Sequence, residues 1–182
     1  MEWEKKSKNV FYVKNIFKLD YYNLILDEFN SINNSWIFEK REKNSSPLFG
    51  ELFCNVGPDI GENLRFMDAS IIAKYHCKKI LERELQLIRI NTNIQFFGQE
   101  SNFHPDDFQI EYWSFVVFMD YEWDLSWGGE LTVETSPGEY LGLPFLPNCG
   151  VLFNAMMEHK GSAPNRFCNK ERKTLAFLFE EL

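Results

Sequence analysis

Ile110-Glu111-Tyr112-Trp113-Ser114-Phe115-Val116-Val117-Phe118-Met119 is the stretch that decides the fold class. Only Glu111 and Ser114 are polar, and the rest are aromatic, β-branched or otherwise apolar. Such a short, bulky run fits a buried strand better than a helix. Strand signals continue on both sides of it. Upstream, Leu87-Ile88-Arg89-Ile90-Asn91 and Asn93-Ile94-Gln95-Phe96-Phe97 precede Gly98. Downstream, residues 130–134 alternate, 149–154 are apolar, and 173–180 close the chain. Nearer the start, Val10, Phe11, Tyr12 and Val13 form an opening strand within 9–14. Asp20 can cap a helix running to about Asn33, with Tyr22, Ile25, Leu26, Phe29 and Ile32 at helical spacing. Asp68 can cap a second helix to about Glu84, with Ile71, Ile72, Tyr75, Ile80 and Leu81 inward. Residues 45–61 carry Pro47, Gly50, Gly57, Pro58 and Gly61 and read mostly as loop.

Helices first and strands after predict an α+β domain in which helices buttress a β core. A double-stranded β-helix, or jelly roll, is the natural home for such strands. Periodicity alone does not separate it from another sandwich. The 182 residues are expected to form a single domain, 1–85 mainly helical support and loops and 86–182 the jelly-roll core with the site. With 45% hydrophobic residues and 18 phenylalanines, a sizeable core is available. The net charge of −8 lacks the basic footprint of non-specific nucleic-acid binding. No run approaches the roughly 18 apolar residues of a membrane span. Met1-Glu2-Trp3-Glu4-Lys5-Lys6 has no apolar secretory stretch, so a cytoplasmic location is expected. Cys54, Cys77, Cys149 and Cys168 are widely spaced, form no CxxC, and read as reduced thiols.

The chemistry-bearing residues are His104-Pro105-Asp106, His159 and Arg172. In extended structure, residues i and i+2 share a face, and Pro105 favours an extended conformation at His104. One short stretch can therefore offer a metal both an imidazole nitrogen and a carboxylate oxygen. His159 follows the apolar Val151-Leu152-Phe153 and precedes Lys160-Gly161, like a strand-end residue facing a cavity. Glu158 is a rival ligand, but it would face away from His159. Two imidazoles and one carboxylate can occupy one face of an Fe(II) octahedron and leave the other open. A 2-oxo acid can chelate there, and its remote carboxylate needs a fixed cation. Arg172 opens the last strand, and alternation puts it on one face with Thr174 and Ala176. Arg172 and Thr174 could then grip a carboxylate together; a slip of one register would put Lys173 there instead. The third histidine, His76, has no carboxylate at useful spacing and reads as structural.

Taken together, these features resemble the Fe(II)/2-oxoglutarate-dependent oxygenase superfamily in its prolyl 4-hydroxylase-like branch. The resemblance runs from about Asn91 to Phe179, about half the chain. It rests on the Gly98–Asp106 approach, the 114–124 stretch, Trp127-Gly128-Gly129-Glu130-Leu131, the 147–153 stretch, His159, and Arg172-Lys173-Thr174-Leu175-Ala176-Phe177. It implies Fe(II) bound by His104, Asp106 and His159, and 2-oxoglutarate as cosubstrate paired with Arg172. Ascorbate is a candidate reductant. O2 and a peptide, protein or small molecule are the expected partners, with neither nucleic acid nor membrane. The implied reaction hydroxylates an aliphatic C–H, with a peptidyl proline as the first candidate, and releases succinate and CO2.

The chain departs from that pattern at four places. Many prolyl hydroxylases have lysine where Arg172 stands. Phe118 replaces a tyrosine, and Leu178 a tryptophan of some relatives. Gln95 lies near another tyrosine position and is expected to offer the cosubstrate a polar contact. Loops at 45–63, 121–127 and 136–140 would set specificity, with Trp123 and Trp127 either packing on substrate or filling the barrel end. Three other readings stand beside this one. They are a non-catalytic jelly-roll binding module, a hydroxylase of a free amino acid or small metabolite, and a cupin-type dioxygenase that has no use for Arg172.

Overall fold

The computed structural model describes residues 2–31, 37–38, 52–56 and 64–182, with 37–38, 52–56 and 64 described by their backbone only. Eleven strands and two α-helices are present among them. They run β1 (Glu2–Ser7), β2 (Val10–Lys14), α1 (Leu19–Ser31), β3 (Ile37–Phe38), β4 (Leu52–Val56), α2 (Leu64–Leu81) and β5 (Leu85–Gln95). Then follow β6 (Tyr112–Phe118), β7 (Leu131–Ser136), β8 (Glu139–Leu143), β9 (Cys149–Asn154), β10 (His159–Gly161) and β11 (Arg172–Glu181). An eight-stranded sheet has the order β1-β2-β9-β6-β11-β5-β4-β3, and a three-stranded sheet the order β10-β7-β8. Every pairing between strands is antiparallel.

Alternation along the central strands divides the core in two. Phe115 and Val117 of β6, Leu152 of β9, and Leu175, Phe177 and Phe179 of β11 face the helices. They pack on Tyr22, Ile25, Leu26 and Phe29 of α1 and on Phe66, Ala69, Ala73, Cys77 and Ile80 of α2. Val116 and Phe118 of β6 and Val151 and Phe153 of β9 face the other way, toward Leu131, Val133 and Leu143 of the small sheet. Arg172, Thr174 and Ala176 lie on this inner side, as their alternation predicts. A bulge between Leu178 and Phe179 explains why both of these neighbours are buried. The Tyr22 hydroxyl ties α1 to the ends of β6 and β9. It donates to the Asp120 carbonyl at 2.8 Å and accepts from the Asp120 and Asn148 N–H groups at 3.0 Å.

Several expectations need correction. The first 85 residues contribute four strands as well as two helices. β1 was not anticipated because its charged residues pair at an exposed sheet edge, where burial imposes no apolar pattern. The stretch 45–61 contains β4, whose pairing with β5 outweighs the turn residues around it. The two upstream strand stretches are one continuous β5, since Thr92 pairs with Leu175 without interruption. In α2 the inward residues are small: Ala69, Ala73 and Cys77, with Phe66 and Ile80 at either end. Ile71 and Tyr75, expected inward, are 67% and 54% exposed. Close approach of the helix to the sheet selects the small residues. α1 ends at Ser31, and Ile32 and Asn33 lie outside the described residues. No helix among the described residues is long and apolar enough to cross a membrane. Cys77, Cys149 and Cys168 are free thiols, and Cys54 falls where only backbone is described.

His76 is structural. Its Nε2 lies 2.8 Å from the Ile16 carbonyl, which can only accept, so Nε2 carries the proton. Nδ1 is buried with no hydrogen-bond partner, and burial pushes the imidazole below its ordinary value. As pH falls the unfolded chain takes the proton first. The stability His76 contributes is therefore complete above the unfolded value of ~6.5 and is lost as pH drops toward the lower folded value. The urea midpoint should fall between about pH 7 and pH 5.5. His76→Gln, which can still donate to Ile16, should flatten that part of the profile; an unchanged slope in this variant would refute the assignment.

Candidate metal centre

His104 and Asp106 lie in the segment between β5 and β6, and His159 opens β10. Main-chain pairing brings them together. His104 and His159 exchange two backbone hydrogen bonds, each N–H donating to the other's carbonyl at 3.0 Å. The Asp106 N–H then donates to the Ala155 carbonyl at 2.9 Å. The His-x-Asp segment is thus held by an isolated bridge to the start of β10 and by the Ala155 carbonyl, and both side chains reach His159.

The tautomers follow from the partners. Nδ1 of His104 is 2.8 Å from the Asn102 carbonyl, and Nδ1 of His159 is 3.0 Å from the Met157 carbonyl. A carbonyl only accepts, so both Nδ1 atoms carry protons and both Nε2 atoms keep lone pairs. Those two nitrogens and the Asp106 carboxylate converge. Nε2 of His159 is 3.5 Å from Asp106 Oδ2, Nε2 of His104 is 4.0 Å from Oδ1, and all three ligand atoms lie within 4.8 Å of one another. Ser114, on the inner face of β6, donates to Asp106 Oδ2 at 2.6 Å and fixes the carboxylate. Burial pushes the Asp106 carboxyl up. The proximity of His159, the Ser114 hydrogen bond, and the nearby His104 and Arg89 outweigh it, and the group sits below its ordinary value. An ionised carboxylate with two imidazole lone pairs fits a divalent metal held on one face. Carbonyl partners on the far ring nitrogens are the usual second layer of such a site. Among the described residues this is the one group of three such ligands. Glu158 is not part of it and lines a surface groove with Ser7, Lys8 and Glu134.

Arg172 is 2% exposed and sits in a socket built by both sheets. Its Nε donates to the Gly129 carbonyl and its Nη1 to Gln95 Oε1, both at 2.7 Å. Its guanidinium lies 5.3 Å from the Phe145 ring centre and 6.0 Å from that of Phe118. Gly129, at φ +83°, needs the freedom of glycine, and a Cβ there would meet Trp123 at 3.0 Å. A Cβ on Gly161 would stand 3.1 Å from both Arg172 Nη1 and Gln95 Oε1. Thr174, one pleat inward, accepts from Asn93 Nδ2 at 3.3 Å.

Gln95, expected to offer the cosubstrate a polar contact, lies against the arginine. Its oxygen is taken by Arg172, and its nitrogen donates to the Gln99 and Gly161 carbonyls at 3.1 and 3.0 Å. It therefore holds the arginine in place. Trp123 is buried, packs at a tilt on Phe145 and donates to the Gly128 carbonyl at 2.9 Å, so it is part of the core between the sheets. The 136–140 turn does come beside the site, with Tyr140 packed 5.1 Å from Phe103. The 45–63 loop lies mostly outside the described residues.

Ser114, Gly161 and Ser101 escaped the sequence reading. Ser114 could have been found, since it shares the inner face of its strand with Phe118. Ser101, whose Oγ donates to the Gly161 carbonyl and accepts its N–H at 2.9 Å, carries no such signal.

No protein-family model matches the chain, and no curated protein does. Solved structures share its fold. A Pseudomonas putida prolyl-4-hydroxylase superposes with a TM-score of 0.70 at 14% identity, over 96% of this chain and 93% of that one. A Trichoplax adhaerens prolyl hydroxylase, solved with a hypoxia-inducible-factor peptide, gives 0.74 at 10% identity over 95% and 84%. A Burkholderia pseudomallei oxidoreductase of the 2-oxoglutarate–Fe(II) oxygenase family gives 0.75 at 10% over 94% and 85%. The architecture is therefore that of these oxygenase structures.

Ser114→Ala should weaken Mn(II) binding, followed by calorimetry, by about 10- to 100-fold without unfolding the protein. Unchanged affinity would show that Asp106 needs no such support.

Proposed function

We propose that the protein is an Fe(II)- and 2-oxoglutarate-dependent dioxygenase that hydroxylates an aliphatic C–H and releases succinate and CO2. The two sheets are read as the halves of a double-stranded β-helix within a single domain that works in the cytoplasm. The observation that carries the proposal is the convergence of His104 Nε2, His159 Nε2 and the Asp106 carboxylate in a barrel that also buries Arg172. A metal-binding fold alone has no use for that arginine.

His104, Asp106 and His159 would hold the iron. Arg172, steadied by Gly129 and Gln95, would pair with the remote carboxylate of 2-oxoglutarate, with Thr174 beside it. Bound together, iron and cosubstrate supply the oxidising power: O2 delivers one oxygen atom to succinate and one to the substrate hydroxyl. The protein's own part is orientation and exclusion of water. Phe118 and Phe145 form an apolar wall against the arginine, so the departure from tyrosine at Phe118 replaces a hydrogen bond with a drier pocket. Ser114 keeps the carboxylate turned inward. No side chain is required as a general base. Ascorbate would serve to rescue iron oxidised in unproductive cycles. The substrate is a peptide, a protein or a small molecule.

The test is succinate formation from 2-oxoglutarate. It should require added Fe(II) and vanish in His159→Ala, which removes a ligand. In Arg172→Ala the half-saturating 2-oxoglutarate concentration should rise about 100-fold, the order expected for losing a buried charge pair. Full activity in His159→Ala would exclude the iron assignment.

A further inference from the structure

The inner face of β5 is polar along its length: Arg89, Asn91, Asn93 and Gln95. Its other face carries Ile90 and Ile94 into the helix-side core. Arg89, Asn91 and Asn93 are partly buried and Gln95 fully so, and polar groups taken out of water ordinarily have partners. Two have one. Gln95 holds Arg172, and Asn93 donates to Thr174. Arg89 and Asn91 remain.

Register places this pair beside the metal ligands. Arg89 is opposite Leu178, and Leu178 is opposite Ser114, the residue bonded to Asp106. Paired residues on neighbouring strands face the same side, so Arg89 projects from the same row of the barrel interior as Ser114. Two strand spacings separate them, about 10 Å. Arg89 is partly buried and makes no ion pair or hydrogen bond with any described residue. Asn91 occupies the next position on the same face, and its buried Oδ1 has no hydrogen-bond partner among the described residues. A cation and an acceptor therefore stand side by side on one strand, with Arg89 level with the Ser114 that holds Asp106. Arg172, with the cosubstrate end of the pocket, lies at the other end of the strand, paired with Gln95.

We propose that Arg89 and Asn91 anchor the substrate, and that it is a free α-amino acid rather than a residue inside a protein. The α-carboxylate pairs with the Arg89 guanidinium, whose planar fork suits it, and the α-ammonium donates to Asn91 Oδ1. Its side chain is then directed to the metal. The reaction balances as amino acid, 2-oxoglutarate and O2 giving hydroxyamino acid, succinate and CO2. An internal peptide residue has neither charge to offer. This proposal rests on the dioxygenase reading above.

The experiment is anaerobic titration of the Fe(II)–2-oxoglutarate protein with the free L-amino acids, and with their N-acetyl amides. It is followed by calorimetry and by the visible band of the iron–cosubstrate chelate. A free amino acid should bind and shift the band, while its N-acetyl amide should not. Arg89→Gln should weaken that binding by about 30-fold or more with 2-oxoglutarate affinity unchanged. Arg89→Lys should retain part of it, which a merely structural role would not predict. If the chelate forms but no free amino acid binds, or the amide binds as well, the proposal is overturned while the dioxygenase reading stands. Wild-type binding in Arg89→Gln would overturn it too. If no chelate forms, both readings fall together.

Discussion

Two main-chain hydrogen bonds between His104 and His159, each 3.0 Å, are the constraint on which the site depends. They join a loop before β6 to the edge of the small sheet, and they set where both imidazoles start. Backbone pairing is indifferent to side-chain identity, so the geometry is fixed before any metal arrives. The carbonyls of Asn102 and Met157 then choose the tautomers, and Ser114 turns the carboxylate. Three candidate ligands gathered by the fold, with protons already placed on the outward nitrogens, would lose little freedom on binding an ion. That is the physical content of a pre-organised site.

Arg172 depends on both sheets in the same way. Its backbone belongs to the large sheet, while Gly129, whose carbonyl it bonds, directly precedes the small one. Burying a guanidinium is costly unless its N–H groups are met. Gln95 and Gly129 meet two of them, and the glycines at 129 and 161 leave the room it occupies. The Gly-Gly turn is thus a means of delivering a carbonyl to the arginine. The His-Asp-His cluster is held at the edge strand β10 of the small sheet, and the arginine by β11 of the large one.

Much of this was legible in the sequence where burial enforces a pattern. The β6, β9 and β11 stretches are central strands, and their bulky residues leave no other reading. Alternation alone put Arg172, Thr174 and Ala176 on one face, and the register that turns this face inward came from the pairing of β11 with β5 and β6. Both histidine positions and Asp106 could be picked out because a short His-x-Asp and a strand-end histidine are local signals. What was not legible depends on partners far along the chain. β1 and β4 are strands because β2 and β5 pair with them, and their own composition does not require it. The inward face of α2 is set by how closely it approaches the sheet, which favours Ala69 and Ala73 over the larger Ile71 and Tyr75. Gln95 was expected to face a cosubstrate because its position was visible, while its three hydrogen-bond partners were not. Ser114 could be placed on the inner face of its strand by alternation, but the carboxylate it holds lies eight residues back on another segment and was not visible.

The most direct test of the account is anaerobic titration of the purified protein with Fe(II) and 2-oxoglutarate, watching for the weak visible charge-transfer band of a chelated 2-oxo acid. The account predicts a band that saturates with one equivalent of iron and that needs far more 2-oxoglutarate in Arg172→Ala. Absence of any band in folded protein would contradict it, and would leave the His-Asp-His cluster as a feature of the fold without the chemistry.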